Sequence, residues 1–194
     1  MSDTVAALLE KIKALESELE VEVAKTRVGL QFGFEHGRVA FEEQILQRHR
    51  ELMTRLHNYV LNARPLVVLT APAIYSLIIP FVIIDVWVML YQEVCFPVYG
   101  IAKVRRRDYL VFDRQYLAYL NVLEKLNCGY CSYVAGTVAF VREVAARTEQ
   151  HWCPIKHARK VISAHHHYGE FLEFGDAPAY REWVATFASD RKVD

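Results

Sequence analysis

The chain has 194 residues with 23 basic and 23 acidic side chains, so its formal net charge is zero. Hydrophobic residues make up 53% of it, and it contains only 8 Gly, 6 Pro and 4 Cys. This composition excludes a disordered chain, a collagen-like repeat and a small disulfide-stapled protein. The length is sufficient for a packed core.

Charge is distributed unevenly along the chain. Residues 65–102 contain no Lys or Arg and only two acidic residues, whereas residues 103–160 contain 11 basic and 5 acidic residues. This pattern predicts three segments: an amphipathic, coiled-coil-like helical arm (1–64), a membrane segment (65–102) and a helical domain that carries the Cys and His residues (103–194).

The first part of the arm has the spacing of a short coiled coil. Apolar residues recur at alternating steps of three and four, as at the a and d positions of a heptad: Val5, Leu8, Ile12, Leu15 and Leu19. The repeat covers about two and a half heptads, which favours a helix that dimerises or docks over a long coiled coil. We therefore expect a homo-oligomer, or contact with a protein partner, through this helix.

Glycines mark the middle of the arm. Gly29, Gly33 and Gly37 follow one another at steps of four, and on a helix they form one stripe that allows close approach of another backbone. The alternative is a flexible or kinked join, because each glycine weakens a helix by about 1 kcal/mol. From Val39 to Asn62 the apolar spacing predicts an amphipathic helix that leads into the membrane segment.

The membrane segment contains an uninterrupted uncharged run. Leu66 to Ile84 are 19 consecutive residues without a charge, and a helix needs about 20 apolar residues to cross a hydrocarbon core of about 30 Å. The run begins too far into the chain for a secretory signal. We expect an integral membrane protein with the lipid bilayer as its partner, the alternative being a buried helix of a soluble protein.

The topology of this segment has two interpretations. Pro65 to Ala102 is too long for one span and barely long enough for two, and its prolines predict broken helices. Basic residues flank both ends, which favours two cytoplasmic termini at a bacterial inner membrane. We predict a proline-broken apolar hairpin with Asp85 and Glu93 near its tip. The alternative is one span ending near Tyr91 with an interfacial helix.

Two charged features of this region need interpretation. Asp85 either binds a proton, an ion or a lipid headgroup within the membrane, or caps the hairpin turn among the headgroups, which is the interpretation we favour. Arg105–Arg107 follow the apolar segment, and membrane topology and attraction to anionic lipid account for them. We therefore expect no nucleic-acid binding.

The apolar periodicity of the carboxy-terminal domain predicts helices over 108–126 and 132–150, and a short terminal helix over 178–188. Pro154 suits the first turn of a further helix. Glu143 and Arg147, four residues apart, are expected to form an ion pair on a solvent-facing side.

The most specific motif consists of two short pairs of metal-binding residues. Cys128 and Cys131 are three apart, Cys153 and His157 are four apart, and 21 residues separate the two pairs. Such doubled pairs are typical of a four-ligand zinc site. We therefore predict Zn²⁺ bound by Cys128, Cys131, Cys153 and His157.

Geometry leaves alternatives to this ligand set. A straight helix over 132–150 is about 28 Å long and holds the two pairs apart unless the chain reverses near Gly136. If a helix from Pro154 instead runs back alongside, then His165, His166 or His167 replaces the second pair and joins the first. The other uses of these cysteines are an iron–sulfur cluster, thiol redox chemistry, or burial without a chemical role.

Together these features predict a mainly α, membrane-attached protein with a cytoplasmic helical Cys/His domain. Its expected function is that of a membrane-anchored, zinc-binding interaction or assembly protein without catalytic activity. The alternatives are a metal- or thiol-dependent membrane redox enzyme or component, and a lipid- or quinone-handling membrane subunit. The sequence contains no Gly-rich phosphate loop, nucleophile elbow or paired Glu-x-x-His motif.

Overall fold

The computed structural model describes residues 3–28, 32–35, 38–41, 43–61 and 64–190. The protein is mainly helical, as predicted. The helices are α1 (Asp3–Val28), α2 (Glu43–Glu51), α3 (Leu56–Leu61), α4 (Pro65–Ser76), α5 (Ile78–Tyr99), α6 (Val122–Trp152) and α7 (Ala177–Asp190), and the strands are β1 (Phe32–Glu35) and β2 (Arg38–Phe41). Short 3₁₀ turns cover Arg106–Asp108, Asp113–Tyr116 and His166–Glu170.

The chain divides into two compact units. The first unit comprises Met1–Ile79 and Leu110–Gly136, and the second comprises Pro80–Tyr109 and Thr137–Asp194. Each unit combines segments that are distant in sequence. The linear division at residues 64 and 102 stays a prediction.

The helix predicted at the start of the arm is confirmed as α1. The a and d residues Leu8, Ile12, Leu15 and Leu19 are all exposed on it. Their spacing is helical, but α1 lies in a single chain, so the coiled coil itself stays a prediction.

Two short paired strands lie in the glycine-rich part of the arm. β1 pairs with β2 in antiparallel register, and Gly33 lies within β1. The predicted helical glycine stripe is therefore wrong at Gly33, while Gly29 and Gly37 lie outside the described residues. The single helix predicted over 39–62 is also wrong, because β2 occupies its first part and residues 52–55 separate α2 from α3.

The apolar segment is a nearly continuous helical run. α4 and α5 are separated only by Leu77, whose backbone is itself helical, and the run Pro65–Tyr99 is long and apolar enough to cross a membrane. The predicted hairpin is wrong, because α5 passes through Asp85 and Glu93 without a turn. The proline at position 80 lies in the first turn of α5, where a missing N–H removes no intrahelical hydrogen bond.

The core of the second unit forms around the end of α5. Phe96, Val104, Phe140 and Val144 are buried together. α5 ends at Tyr99 and is followed by Gly100 (φ +67°). The N–H of Ile101 donates to the Phe96 carbonyl at 2.9 Å, and the N–H of Gly100 donates to the Pro97 carbonyl at 3.4 Å. This is a Schellman cap, and glycine supplies the left-handed residue that it requires.

The loop after α5 is fastened back onto the helix. The amide of Gln92 donates to the Val104 carbonyl at 3.3 Å and accepts from the Val104 N–H at 3.1 Å. Both side-chain and backbone groups are buried, so each satisfies the other. The loop that carries Arg106 is thereby held in a fixed register beside α5.

α6 begins with a reciprocal capping box. The N–H of Glu124 donates to Asn121 Oδ1 at 3.0 Å, and the N–H of Asn121 donates to Glu124 Oε2 at 2.9 Å. The helix predicted over 108–126 is wrong before Asn121, since this cap fixes the start of α6. The helix predicted over 132–150 is confirmed, and α6 continues through Gly136 without a break.

The predicted helix from Pro154 is wrong. α6 ends at Trp152, and proline disfavours the helical conformation for the residue before it. Ile155 instead forms a parallel bridge with Leu172, with the N–H of Lys156 donating to the Leu172 carbonyl at 2.8 Å. The predicted terminal helix is confirmed as α7, where Asp176 Oδ1 accepts from the N–H of Ala179.

Candidate functional site

Among the described residues, three potential metal ligands converge in the second unit. One ligand atom from each of Glu143, His166 and His167 lies within 4.8 Å of the other two. Glu143 is buried on α6, three residues after the buried Phe140, and the two histidines open the last 3₁₀ turn. One helix and one short turn therefore supply all three side chains.

Hydrogen bonds fasten the segment of residues 163–167, which contains the histidines, to α6. Arg142 Nη2 donates to the carbonyl oxygens of Ser163 and Ala164 at 2.7 and 2.6 Å. Ser163 has a φ of +56°, which is uncommon for a residue other than glycine. Glu149 Oε2 lies 3.1 Å from His165 Nε2. These hydrogen bonds attach residues 163–165, directly before the two candidate ligand histidines, to α6.

The Glu143 carboxylate is the centre of the group. Arg147 Nε donates to its Oε1 at 2.8 Å, His167 Nε2 lies 3.4 Å from Oε1, and His166 Nδ1 lies 3.6 Å from Oε2. Burial by itself raises the pKa of Glu143, but the hydrogen bonds from Arg147 and His167 and the charges of His166 and Arg147 outweigh it and lower the pKa. The side chain is therefore ionised at neutral pH, which is the form that binds metals.

The three side chains could together hold a divalent ion, since one ligand atom from each lies within 4.8 Å of the other two. His167 and His166 approach different oxygens of Glu143, at 3.4 and 3.6 Å. Imidazole and carboxylate are common ligands for Zn²⁺ and its neighbours. Arg147 would act from outside, orienting the carboxylate as outer partners of metal ligands do. Three protein ligands leave a fourth position for a further ligand.

The four ligands predicted from spacing lie elsewhere. Cys128 (half-buried) and Cys131 (exposed) are on α6 within the first unit. Cys153 (exposed) follows α6 in the second unit, as does His157, whose N–H donates to the Tyr168 hydroxyl at 2.7 Å. None of the four belongs to the converging group. The zinc site at Cys128, Cys131, Cys153 and His157 stays a prediction.

Sequence reasoning missed Glu143 as a candidate ligand. The predicted Glu143–Arg147 ion pair is confirmed, but Glu143 is only 5% exposed, so the pair is not on a solvent-facing side. The available signal was its position between Phe140 and Val144, which places a carboxylate on the apolar face of the helix. A buried charged residue of this kind requires partners, and the histidine run supplies two of them.

A second buried charge lies on α5. Arg106 Nε donates to Asp85 Oδ1 at 2.9 Å, and Arg106 Nη2 donates to Oδ2 at 2.6 Å, which gives a bidentate ion pair. Asp85 is 2% exposed and lies in mid-helix. The prediction that Asp85 caps a hairpin turn is therefore wrong.

No protein-family model, no curated protein and no solved structure matches this chain.

Proposed function

We propose that this chain is a membrane-anchored protein that binds one divalent transition-metal ion, with zinc as the favoured metal. We propose that its function is interaction or assembly rather than catalysis. The observation that carries the proposal is the convergence of Glu143, His166 and His167 in a unit built on an apolar helix with a polar inner face. The metal would add a further connection between the irregular histidine segment and α6, which the hydrogen bonds from Arg142 already join.

The distribution of side chains on α5 supports anchoring in lipid. Asp85 and Gln92 are buried, whereas Ile83, Trp87 and Val98 are 61, 71 and 76% exposed. A helix at the surface of a soluble protein places its polar residues outward. An apolar outer face with polar residues inside is instead the arrangement that lipid stabilises.

Hydrogen bonding along α4 and α5 supports the same anchor. Thr70 and Ser76 donate to carbonyl oxygens of their own helix at 2.9 and 2.8 Å. Asp85 is paired with Arg106, and Gln92 bonds both backbone groups of the following loop. Polar groups in contact with lipid tails need partners within the protein, because no water is available there.

We further propose that α5 lies in one leaflet and does not cross the bilayer. Lys103 and Glu93 form an exposed ion pair beside the helix, and the same unit carries Glu143 and Arg147 on α6. A crossing α5 would take such charges into the hydrocarbon, which is unfavourable. Attachment from one side also keeps both basic flanks in the cytoplasm of a bacterial cell.

The exposed seam of α1 supports the interaction part of the proposal. Leu8, Ile12, Leu15 and Leu19 are between 52 and 64% exposed. Among the described side chains of the first unit, no apolar one is fully buried. A second copy of the chain or a protein partner would cover this seam, as in a short coiled coil.

Elemental analysis of detergent-purified protein tests metal binding. We expect about one zinc ion per chain, lost in His166→Ala and His167→Ala and retained in the exposed control His57→Ala. If zinc is lost only in Cys128→Ser or Cys153→Ser, the metal is bound by the cysteine set instead. Folded, metal-free wild-type protein would overturn the metal-binding proposal.

Membrane fractions test the anchor. The protein should remain in the pellet after carbonate extraction, and release into the supernatant would contradict membrane anchoring. In sealed vesicles that expose the cytoplasmic face, tags at both termini should be cleaved by added protease. Protection of one tag alone would show that the chain crosses the bilayer.

A metal-dependent enzyme or redox component is the second candidate. The observation that favours it is the three-ligand set, because catalytic zinc sites also keep one position for water or substrate. A lipid-handling subunit is compatible with the same anchor.

A further inference from the structure

A pocket of about 410 Å³ opens beside the metal-ligand group in the second unit. Its walls are Ile101, Ala102, Arg147, Gln150, His151 and His167. His167 belongs both to this pocket and to the proposed ligand set. A metal ion bound by His167 would therefore lie beside the pocket, and a ligand in the pocket would be the candidate for its fourth coordination position.

The polar wall of the pocket suits an oxyanion. Arg147 is held between two anchors: its Nε donates to Glu143 Oε1 at 2.8 Å and its Nη1 donates to the Ala102 carbonyl at 2.7 Å. A guanidinium fixed in this way loses little further side-chain entropy when it binds an anion. The amide of Gln150 and the imidazole of His151 add hydrogen-bonding groups on the same wall.

The position of the pocket indicates where the oxyanion comes from. Its apolar wall, Ile101 and Ala102, follows directly on the end of α5. Tyr99 and Trp152 make an edge-to-face pair at 5.1 Å next to His151, and Trp152 is 48% exposed. Exposed Trp and Tyr residues are enriched at the headgroup level of membranes.

We propose that the metal-loaded pocket binds a phosphate monoester group, with one oxygen on the metal and others hydrogen-bonded by Arg147. The ligand class is an anionic headgroup of the phosphatidic-acid kind, and inorganic phosphate presents the same chemistry. This inference rests on metal binding by Glu143, His166 and His167. It assigns the open position to ligand recognition, which makes the metal part of a lipid-binding surface.

Cobalt substitution gives a direct test, because the visible spectrum of Co²⁺ changes when a new ligand enters its coordination sphere. The full chain in detergent is loaded with Co²⁺ and titrated with inorganic phosphate, with micelles containing phosphatidic acid, and with micelles containing phosphatidylcholine only. We expect saturable spectral changes with the first two and none with the third. A response to phosphatidic acid alone identifies the lipid as the source, and a response to phosphate alone identifies the free ion.

Variants locate the binding site in the pocket. Arg147→Ala should weaken Co²⁺ binding, because Arg147 also orients the Glu143 carboxylate. Measured at Co²⁺ concentrations that saturate the variant, it should also weaken phosphate binding by roughly tenfold or more, since a charge-assisted hydrogen bond is lost. Arg147→Lys should retain part of the phosphate affinity. It replaces the alanine variant in the measurement if Arg147→Ala does not fold. Arg159→Ala, an exposed arginine outside the pocket, should bind like wild type.

The outcomes separate this inference from the proposal on which it depends. Failure to bind Co²⁺ would contradict metal binding itself. Co²⁺ binding without a spectral response to either phosphate source would leave metal binding in place and overturn the phosphate site. Unchanged phosphate affinity in a folded Arg147→Ala variant would also overturn it.

Discussion

The Asp85–Arg106 ion pair allows a sharp test of how the second unit is held together. Asp85 is almost completely buried, whereas the side chain of Arg106 keeps 36% of its surface exposed. Removing one partner of a buried ion pair is costly because the other charge is left in a poorly solvated position. The two partners are therefore not equivalent, and Arg106→Met should be more damaging than Asp85→Asn.

The expected loss of stability follows from the exposed fractions of the Asp85 and Arg106 side chains. Loss of one partner of a buried pair costs about 3–5 kcal/mol, and we expect the lower end, about 3 kcal/mol, for Arg106→Met because solvent reaches part of the pair. Asp85→Asn leaves a guanidinium that can turn to solvent, so we expect about 1–2 kcal/mol. For a chain of this size, 3 kcal/mol corresponds to a fall in melting temperature of roughly 6–12 °C.

The assay is thermal unfolding of the detergent-solubilised chain, with Arg107→Met as a control. Arg107 is adjacent in sequence, but its side chain is 81% exposed. The free energy of unfolding of its variant should therefore lie within about 0.5 kcal/mol of the wild-type value. The double variant Asp85→Asn/Arg106→Met should be less destabilised than the sum of the single variants, since it leaves no buried charge. Equal, small effects of Arg106→Met and Arg107→Met would refute the reasoning.

Three further substitutions test the elements that position the site, measured by the same unfolding experiment. Asn121→Ala removes the capping box of α6 and should cost about 1 kcal/mol. Gln92→Leu leaves the buried N–H and C=O of Val104 without partners and should cost about 1–3 kcal/mol. Phe140→Ala, at a side chain with no exposed surface, should cost about 3–5 kcal/mol.

Matched controls exist on the same helix. Val122 is 77% exposed next to the capping box, and Val138 is 51% exposed two residues before Phe140. The free energies of unfolding of Val122→Ala and Val138→Ala should lie within about 0.5 kcal/mol of the wild-type value. If Val138→Ala costs as much as Phe140→Ala, the burial of α6 against α5 is not as described. If Asn121→Ala is neutral, α6 does not depend on its cap.

The elements that the sequence predicts well are those with a strong local signal. In α1 and in the central part of α6, apolar residues recur at helical spacing over a long stretch. α7 follows Asp176, which caps it. Local periodicity and capping make such helices recognisable in the sequence, although packing supplies most of their stability.

The elements that the sequence predicts poorly depend on competition between signals. The aromatic spacing over 108–126 is helical, but the sequence Asn121-Val-Leu-Glu124 also forms a capping box, and this cap defines the start of α6. Pro154 suits both the start of a helix and the end of the preceding one. The bridge between Ile155 and Leu172 decides between them, and it is a long-range contact that local spacing does not reveal.

The candidate site shows the same limit. Glu143 is predictable as the partner of Arg147, because four-residue spacing on a helix brings the two side chains together. Its contacts with His166 and His167 require the irregular segment after Trp152 to return to α6. Hydrogen bonds from the Arg142 side chain to the Ser163 and Ala164 carbonyl oxygens fasten this return, and no periodicity encodes them.

The basic run after α5 shows why neighbouring like charges need separate treatment. The sequence prediction attributes the three arginines jointly to membrane topology, yet Arg106 pairs with Asp85 while Arg107 stays exposed. Successive side chains of a 3₁₀ turn point about 120° apart, so adjacent residues face different surroundings. The bonds between Gln92 and Val104 fix the register of the loop, so that Arg106 is the residue that reaches the helix. If the proposed membrane anchor is correct, fewer cations are available to anionic lipid than the sequence suggests, because Arg106 is paired with Asp85. The same pairing turns the Asp85 charge inward and leaves the exposed face of α5 apolar.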